Sequence, residues 1–369
     1  MLRFHSLRVA DIRPDAEDAV ALSFEGGDDL KDAYGGLPGQ HVVLRTAIDG
    51  VETRRTYSLV SPPGVWPLRI VVRVRDHGSM SRHLAEKLHV GDRIDVLPPN
   101  GSLTPRVTAP DRRTFVAFAA GCGITPVLSI ARAVLSADPR NRFLLFYGNR
   151  GSARAMCLEE LLALKDRHLG RLALHFVMSR EPQEVDLYNG RLDPDRVRQV
   201  ARTLFQAQAV AEYFVCGPGT MLEDVTGVLR ELGVGAERIH GEHFSVDGGS
   251  VPGPVSLDTA DAAVSPPSPA RSVSSDEAEV TVIMDGRRRV FSMRQHAESV
   301  LDAAARAGLE LPFSCRAGVC STCRTKVVRG EVEMAHNYAL EEWELEQGYV
   351  LACQSRVKTA VLELDYDEK

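Results

Sequence analysis

Residues 315–323 read Cys315-Arg-Ala-Gly-Val-Cys320-Ser-Thr-Cys323, and a fourth cysteine, Cys353, follows thirty residues later. This C-x4-C-x2-C…C spacing is the one that holds a plant-type 2Fe-2S cluster, with three thiolates from one short loop and one from a distant segment. The glycine inside the loop lets the chain fold back without a Cβ in the way. A zinc site usually shows two pairs of close ligands, whereas this pattern is three plus one. The spacing therefore predicts that the cluster ligands are Cys315, Cys320, Cys323 and Cys353.

A β-rich unit from residue 276 to residue 369 surrounds these cysteines. Within it, Ser299–Gly308 predicts a helix that ends at Gly308 and packs on the sheet of a ferredoxin. The preceding stretch, 245–275, is mostly Ser, Pro, Ala, Gly, Val and Asp without periodicity, and it predicts a flexible linker.

Apolar runs alternate with helical patterns between residues 109 and 244. Thr114–Ala120 and Phe143–Tyr147 are typical of buried strands, and a helical stretch begins at Val127. Strands that alternate with helices predict a parallel α/β sheet. The turn Ala120-Gly-Cys-Gly-Ile-Thr-Pro126 follows the first strand, and its glycines allow the backbone to approach a phosphate at a helix N-terminus. A plain strand-to-helix turn is the alternative interpretation.

The first 108 residues predict a small antiparallel barrel, because short strand-like runs are separated by Gly and Pro. The run Arg55-Thr-Tyr-Ser58 supplies a permanent cation. The run Gly78-Ser-Met-Ser81 precedes a helical stretch, Arg82–Leu88, and a helix N-terminus suits a pyrophosphate. The strand-like runs are His41–Arg45, Arg69–Val74 and Arg93–Val96.

These motifs and their order resemble the ferredoxin-NADP reductase superfamily, in its hybrid form with a C-terminal 2Fe-2S ferredoxin. The resemblance covers nearly the whole chain apart from the linker. It implies an antiparallel β-barrel that binds FAD (1–108), a parallel-sheet α/β nicotinamide domain (109–244), the linker (245–275) and an α+β, β-grasp ferredoxin domain (276–369). The residues it implies for FAD are Arg55, Tyr57, Ser58, Arg73, Gly78, Met80 and Ser81. Those it implies for the nicotinamide cofactor are Gly121, Gly123, Ile124, Thr125, Pro126, Arg150, Ser179, Arg180, Cys216, Gly217, Pro218 and Met221.

Three residues acquire catalytic roles from the same resemblance. Ser58 is expected at the flavin N5, Cys216 beside the nicotinamide C4, and Phe244 against the flavin face that the nicotinamide reaches. Core packing is the alternative for Cys216 and for Phe244.

The residues after the third strand of the α/β region indicate NADPH, with NADH still possible. Ser179 and Arg180 stand where NADPH-dependent relatives grip the 2′-phosphate, and a guanidinium fork suits a phosphate. An NAD enzyme often places an acid near the ribose instead. Arg150 adds positive charge to the same region. Two surface arginines are the alternative.

Segments outside the redox motifs are most similar to the reductase subunits of phenylacetyl-CoA 1,2-epoxidases. This similarity implies electron transfer to an oxygenase component, a di-iron epoxidase of phenylacetate degradation. A Rieske ring hydroxylase, a steroid hydroxylase or a hybrid-cluster protein is the alternative acceptor, and a redox sensor or carrier is the alternative from another class. The segments are Phe4–Ala10, Pro38–His41, Asn189–Asp193, Leu311–Cys315 and Glu333–Leu340.

Composition excludes several classes of protein. The net charge is −6 over 369 residues, which argues against nucleic-acid binding. Gly and Pro interrupt the most apolar stretch, Phe115–Val134, which argues against a membrane span. Seven cysteines and the absence of a leader pattern at the N-terminus predict a cytoplasmic location. Glu341–Glu346 predicts an acidic surface for the oxygenase.

Overall fold

The computed structural model describes residues 3–76, 78–106, 113–243 and 277–368. Phe244 and the predicted linker lie outside these described residues. The described residues form two compact units, 3–243 and 277–368. None of the helices in these ranges combines the length and the apolar character that a membrane span needs.

The first domain of the N-terminal unit is an antiparallel barrel, as predicted. Its elements are β1 (His5–Ala16), β2 (Ala19–Glu25), β3 (His41–Ile48), β4 (Val51–Ser58), β5 (Leu68–Arg73), α1 (Ser79–Glu86) and β6 (Arg93–Asn100). The strand order is β4-β3-β6-β1-β2-β5, and a bridge from Leu59 to Ile70 connects the end of β4 to β5. Asp49 and Gly50 both have positive φ between β3 and β4, as a type I′ hairpin turn requires.

The second domain is a five-stranded parallel sheet with helices in the crossovers. Its elements are β7 (Thr114–Ala120), α2 (Ile124–Ala137), β8 (Arg142–Asn149), α3 (Leu158–Arg167), β9 (Leu172–Met178), α4 (Pro194–Leu204), β10 (Glu212–Gly217), α5 (Met221–Glu231) and β11 (Ile239–His243). The order β11-β10-β7-β8-β9 places the change of winding direction between β7 and β10. In such sheets, ligands bind beyond the carboxyl ends of the strands at this point.

The two domains of this unit share one apolar core and several ionic contacts. Val60 and Val71 of the barrel belong to the same buried cluster as Val127 and Ile130 of α2. The carboxylate of Glu160, on α3, contacts both Arg69 of the barrel and Arg132 of α2. These contacts fix the barrel against helices α2 and α3 of the second domain.

The C-terminal unit is an α+β domain with a mixed sheet. Its elements are β12 (Glu277–Met284), β13 (Arg287–Arg294), α6 (Val300–Arg306), β14 (Arg324–Arg329), β15 (Val332–Met334), α7 (Glu342–Glu346), β16 (Tyr349–Leu351), β17 (Ser355–Val357) and β18 (Val361–Asp365). The main sheet has the order β13-β12-β18-β14-β16, and β15 pairs with β17. The Ser299 hydroxyl accepts a hydrogen bond from Asp302 N at 3.1 Å, and Gly308 follows the last turn with a φ of +75°. The predicted helix is therefore present, with its cap.

The acidic surface predicted for Glu341–Glu346 is wrong at one position. The Glu344 side chain is fully buried, and its Oε1 lies 2.7 Å from the Arg324 Nε. The reason is helical geometry, because α7 turns Glu344 toward the sheet while Leu345 and Glu346 stay exposed. Short 3-10 helices in the described ranges are Asp28–Leu30, Gly121–Gly123, Ser152–Arg154, Asp186–Tyr188, Ala207–Ala209 and Ala236–Arg238.

Candidate functional site

The cysteine loop of the C-terminal unit is held in an unusual backbone conformation. Arg316 and Ser321 have positive φ although neither is a glycine, and Gly318 has a φ of +75°. A Cβ on Gly318 would lie 2.9 Å from the His336 carbonyl oxygen, so the loop needs a glycine there. This conformation turns backbone N–H groups toward sulfur: the N–H groups of Ala317 and Val319 both donate to Cys315 Sγ at 3.4 Å.

The four predicted ligands are arranged as two pairs of thiols. A hydrogen bond between the Cys315 and Cys320 thiols lowers the pKa of Cys315 to about 6. A hydrogen bond between Cys323 and Cys353 raises the pKa of the former and lowers that of the latter. Two pairs fit a cluster with two irons and four thiolates. Among the described residues, no three His, Cys, Asp or Glu side chains are grouped to hold a single metal ion.

The predicted flavin residues on β4 divide between its two faces. Arg55 is exposed and Tyr57 is partly buried on one face, whereas Ser58 is buried on the other. Burial raises the pKa of Tyr57, and the nearby cations Arg55 and Arg75 oppose this effect. The flavin assignments remain predictions.

The second flavin motif lies at the start of α1, which begins three residues earlier than predicted. Gly78 is the N-cap, and the Ser81 hydroxyl donates to its carbonyl oxygen at 3.1 Å. The Met80 side chain is buried in the barrel core, so only its backbone N–H can face a phosphate. The first-turn N–H groups of α1 are thus the part of this motif that suits a pyrophosphate.

Arg73 lies at the junction of the two domains rather than within the barrel alone. Its guanidinium contacts the Asp18 carboxylate and donates to the Arg154 carbonyl oxygen at 2.8 Å. Asp18 also contacts the Arg154 guanidinium. Arg73 and Arg154 therefore share one carboxylate on the wall of a large cavity.

This cavity, of about 840 Å³, lies at the carboxyl end of the parallel sheet. Of the predicted nicotinamide residues, it contacts Gly121, Arg150, Ser179, Arg180, Pro218 and Met221. Its volume is typical of a site for a large organic cofactor. Six arginines line it, against two acids, Asp193 and Asp224, so the cavity favours an anionic ligand. The arginines are Arg73, Arg75, Arg150, Arg154, Arg180 and Arg191.

The remaining predicted nicotinamide residues lie behind the cavity wall. A Cβ on Gly123 would lie 2.1 Å from the Cys216 carbonyl oxygen, so this glycine permits a close backbone contact. Ile124, Thr125 and Pro126 form the first turn of α2, and all three are buried. Gly217 packs against Met221, and a Cβ there would lie 2.4 Å from the methionine sulfur.

Cys216, at the end of β10, is fully buried. Burial raises the pKa of its thiol well above the ordinary value, and the Glu242 carboxylate on the neighbouring strand acts in the same direction. The thiol is therefore uncharged. The predicted partner residue Phe244 lies outside the described residues.

Three arginines of the cavity, Arg75, Arg154 and Arg191, are missed by the sequence prediction. They come from three separate segments, and nothing in their local sequence marks them as ligands. The sequence also could not predict which way the side chain of Glu181, the acid next to Arg180, points. Glu181 points away from the cavity, since its Oε2 accepts hydrogen bonds from Ser152 N at 2.7 Å and from the Ser152 hydroxyl at 2.9 Å.

Family models match all three domains. The model described as an oxidoreductase FAD-binding domain matches residues 17–104, that of an oxidoreductase NAD-binding domain matches 118–227, and that of a 2Fe-2S iron-sulfur cluster binding domain matches 282–358. The matched ranges contain the start of α1 in the barrel, most of the residues that line the cavity, and the four cysteines of the C-terminal unit.

Curated relatives span the full chain. The chain is 37% identical over 369 residues to a component of the 1,2-phenylacetyl-CoA epoxidase of Escherichia coli (strain K12), covering all of this chain and 99% of the relative. It is 30% identical over 363 residues to the ferredoxin reductase component of 3-ketosteroid-9-alpha-monooxygenase of Rhodococcus rhodochrous, covering 98% of this chain and 96% of the relative.

Solved structures show the same fold. Phthalate dioxygenase reductase has a TM-score of 0.57 at 21% identity, with 98% of each chain covered. An intact type IV self-sufficient cytochrome P450 monooxygenase has a TM-score of 0.67 at 19% identity, with 98% of this chain and 41% of that chain covered. The chain therefore belongs to the family of three-domain oxidoreductases in which an FAD-binding domain and an NAD-binding domain precede a 2Fe-2S domain.

Proposed function

We propose that this oxidoreductase accepts hydride from NADPH and delivers single electrons through its 2Fe-2S cluster to an oxygenase. The observation that carries the proposal is the presence, on one chain, of an arginine-lined cavity that suits a nucleotide and of four cysteines grouped in two pairs that suit an iron-sulfur cluster. FAD, when bound, supplies the conversion from a two-electron to a one-electron carrier. The chain itself supplies orientation, charge and exclusion of water.

The predicted residues take definite roles in this proposal. Arg55 and the N-terminus of α1 hold the pyrophosphate of FAD, and Tyr57 covers the ring. Ser58 and Cys216 border the point of hydride transfer, and Phe244 closes it. The domain limits 1–108, 109–244 and 276–369 belong to the same proposal.

The preference for NADPH is supported by the charge of the cavity. Arg150, Arg180 and Arg191 line it beyond the ends of β8 and β9, where a 2′-phosphate would gain charge-assisted hydrogen bonds. The acid that follows Arg180 is hydrogen-bonded to Ser152 and is not among the residues that line the cavity.

The partner in this proposal is the oxygenase component of a phenylacetyl-CoA epoxidase, a di-iron enzyme. The support is the 37% identity over the full chain with the epoxidase component. A steroid hydroxylase is the second candidate, supported by the 30% identity to the ketosteroid monooxygenase component. A cytoplasmic location is also proposed, because none of the seven cysteines is paired in a disulfide, as is usual in a reducing compartment.

The test is purification with analysis of flavin, iron and sulfide, followed by anaerobic stopped-flow reduction with NADPH and with NADH. We expect one FAD and two irons per chain, with flavin reduced first and cluster second. Strong preference for NADH would overturn the choice of nucleotide. A protein that is reduced but cannot support steady NADPH-dependent reduction of cytochrome c would be a sensor instead. Turnover with each purified oxygenase would decide between the two partners.

A further inference from the structure

A buried histidine and a glutamate meet across the interface between the first and second domains. His41, the first residue of β3, is only 2% exposed, and its Nδ1 lies 3.5 Å from the Oε1 of Glu242 on β11. His41 belongs to the barrel and Glu242 to the parallel sheet. The contact therefore joins the first domain to the second through two side chains that are largely shielded from water.

The strand registers place this contact beside both residues proposed for hydride transfer. His41 is directly opposite Ser58 in the antiparallel pair of β3 and β4, and Glu242 is directly opposite Cys216 in the parallel pair of β10 and β11. Residues directly opposite each other project to the same face, with their Cβ atoms about 5 Å apart. The pair thus lies between the strand end that carries Ser58 and the strand end that carries Cys216.

The surrounding backbone leaves a place for the imidazole ring. Gly101 has a φ of +119°, and a Cβ there would lie 3.0 Å from His41 Nδ1 and 3.1 Å from His41 Cε1. A side chain at this position would displace the ring. The ring is therefore packed directly against the backbone at Gly101 while its Nδ1 faces Glu242.

The Glu242 carboxylate depends on His41 for a polar neighbour. Glu242 Oε2 is buried and has no hydrogen-bond partner among the described residues, so the His41 imidazole is the polar group seen beside this carboxylate in those ranges. A buried carboxylate is costly unless a donor or cation accompanies it. Without the imidazole, the simplest relaxation is a movement of Glu242 toward water, which would carry the adjoining end of β10 with it.

We propose that His41 is a positioning residue for hydride transfer: by holding Glu242, it fixes the end of β10, and so Cys216, against the strand end that carries Ser58. This inference rests on the proposed function, because that proposal places hydride transfer between Ser58 and Cys216. Other contacts keep the domains together without it. The Arg69–Glu160–Arg132 and Arg73–Asp18–Arg154 contacts are independent of His41.

The test compares the wild-type protein with His41→Phe, which keeps a flat ring and removes its nitrogens, and with Glu242→Gln. Single-turnover reduction of the FAD-loaded protein is followed against NADPH concentration. We expect the limiting rate to fall at least about tenfold in both variants, because small misplacements of reacting groups are costly. The dissociation constant of NADPH should change less than about twofold, because the arginine-lined cavity is untouched.

Two further measurements are independent of turnover. The long-wavelength charge-transfer absorbance between NADP⁺ and reduced flavin should weaken in both variants. Amide hydrogen exchange of residues 239–243 should be faster in the FAD-free His41→Phe protein, since the end of β11 loses its anchor. The double variant H41E/E242H, which reverses the pair, should recover most of the limiting rate.

The control is His89→Phe. His89 forms an exposed contact with Asp92 at 3.7 Å in the same barrel, so its loss should leave the rate, the absorbance and the exchange unchanged. Wild-type rates and absorbance in His41→Phe would overturn the inference, as would a reversed pair no faster than the single variants. If His41→Phe does not fold, Glu242→Gln and the reversed pair decide. A wild-type protein that NADPH does not reduce would instead overturn the proposed function itself.

Discussion

Single residues set the geometry of the proposed nicotinamide site, and Gly123 has the closest backbone contact among them. A Cβ at this position would lie 2.1 Å from the Cys216 carbonyl oxygen, which belongs to rigid backbone. We expect Gly123→Ala to push β10 and α2 apart, to lower the limiting rate of flavin reduction by NADPH, and to destabilise the N-terminal unit by about 1–3 kcal/mol. Stopped-flow reduction and thermal unfolding measure the two effects.

Gly227 provides the matched control, since it lies inside α5 and a Cβ there would have nothing within 4 Å. Alanine there should leave the rate unchanged and stabilise the helix by up to about 1 kcal/mol. If Gly123→Ala and Gly227→Ala had the same rate of flavin reduction and the same free energy of unfolding, the close approach of Gly123 to the Cys216 carbonyl oxygen would affect neither property.

Arg191 is expected to determine nucleotide specificity. It lines the cavity with Arg150 and Arg180, and a guanidinium adds charge-assisted hydrogen bonds to a phosphate that NADH lacks. Arg191→Ala should raise the KM for NADPH about tenfold and leave the KM for NADH within about twofold, as steady-state kinetics with a dye acceptor would show. Arg140→Ala is the control, because Arg140 contacts Asp138 outside the cavity. Equal effects of Arg191→Ala on both nucleotides would contradict the assignment.

We expect Asp15 and Asp138 to make the free energy of unfolding depend on pH in opposite directions. Burial raises the pKa of Asp15, so its contribution to stability is complete below about pH 4 and is lost as the pH rises through the raised value. Arg140 lowers the pKa of Asp138 to about 2, so its contribution is present above about pH 4 and is lost as the pH falls toward 2. Urea unfolding of Asp15→Asn and Asp138→Asn beside the wild type, from about pH 2.5 to 7, should show the two trends. The same trend in both would contradict the burial of Asp15.

Sequence patterns could identify the residues whose role depends on local spacing, and they could not identify those brought together by the fold. The four cysteines and the glycine turn at 121–123 belong to the first group. Arg75, Arg154 and Arg191 belong to the second, because they converge on one cavity from three separate segments. The side-chain direction of Met80 depends on where α1 begins, and the sequence pattern places that start three residues too late.

At the level of elements, α7 shows that two glutamates within one turn of a helix can have different environments, one buried in the domain and the other exposed to solvent. Glu344 is fully buried, contacts Arg324, and accepts a hydrogen bond from Glu341 N at 3.0 Å. We expect Glu344→Ala to destabilise the C-terminal unit by about 3 kcal/mol, since it leaves a largely buried guanidinium without its partner. Thermal unfolding followed by the visible absorbance of the cluster measures this loss.

Glu346 is the control on the same helix, because its side chain is exposed. Glu346→Ala should change the free energy of unfolding by less than about 0.5 kcal/mol. Similar losses in Glu344→Ala and Glu346→Ala would contradict the buried ion pair.

At the scale of the whole molecule, the order and the fold class of all three domains could be predicted from the sequence. Each domain has a characteristic sequence motif or a characteristic pattern of apolar residues. Alternation of apolar strands with helices indicated the parallel sheet, and cysteine spacing indicated the C-terminal domain. The contacts between the first two domains could not be predicted. Glu160 contacts Arg69 although the two residues are 91 positions apart in the sequence, and no local sequence pattern indicates such a contact.

The surface beside the cysteine loop is the expected exit for electrons toward the oxygenase. Tyr338 donates its N–H to the Gly318 carbonyl oxygen at 3.0 Å, which places an exposed aromatic side chain against the loop, and α7 adds the exposed Trp343 and Leu345. Exposed aromatic and apolar side chains are typical of protein contacts, and these three lie within eight residues of one another along the chain. We therefore expect Tyr338→Ala and Trp343→Ala to slow transfer to the oxygenase about tenfold.

The same two variants should leave flavin reduction by NADPH unchanged, because that reaction takes place in the N-terminal unit. Val290→Ala is the control for a general loss of surface apolar area, since Val290 is exposed on β13, at the opposite edge of the sheet from β16. Stopped-flow mixing of the reduced protein with its oxygenase separates the two steps, because each has its own absorbance change. If Val290→Ala slowed transfer as much as Trp343→Ala, contact would not be localised at the loop, and electrons would leave the cluster by another face.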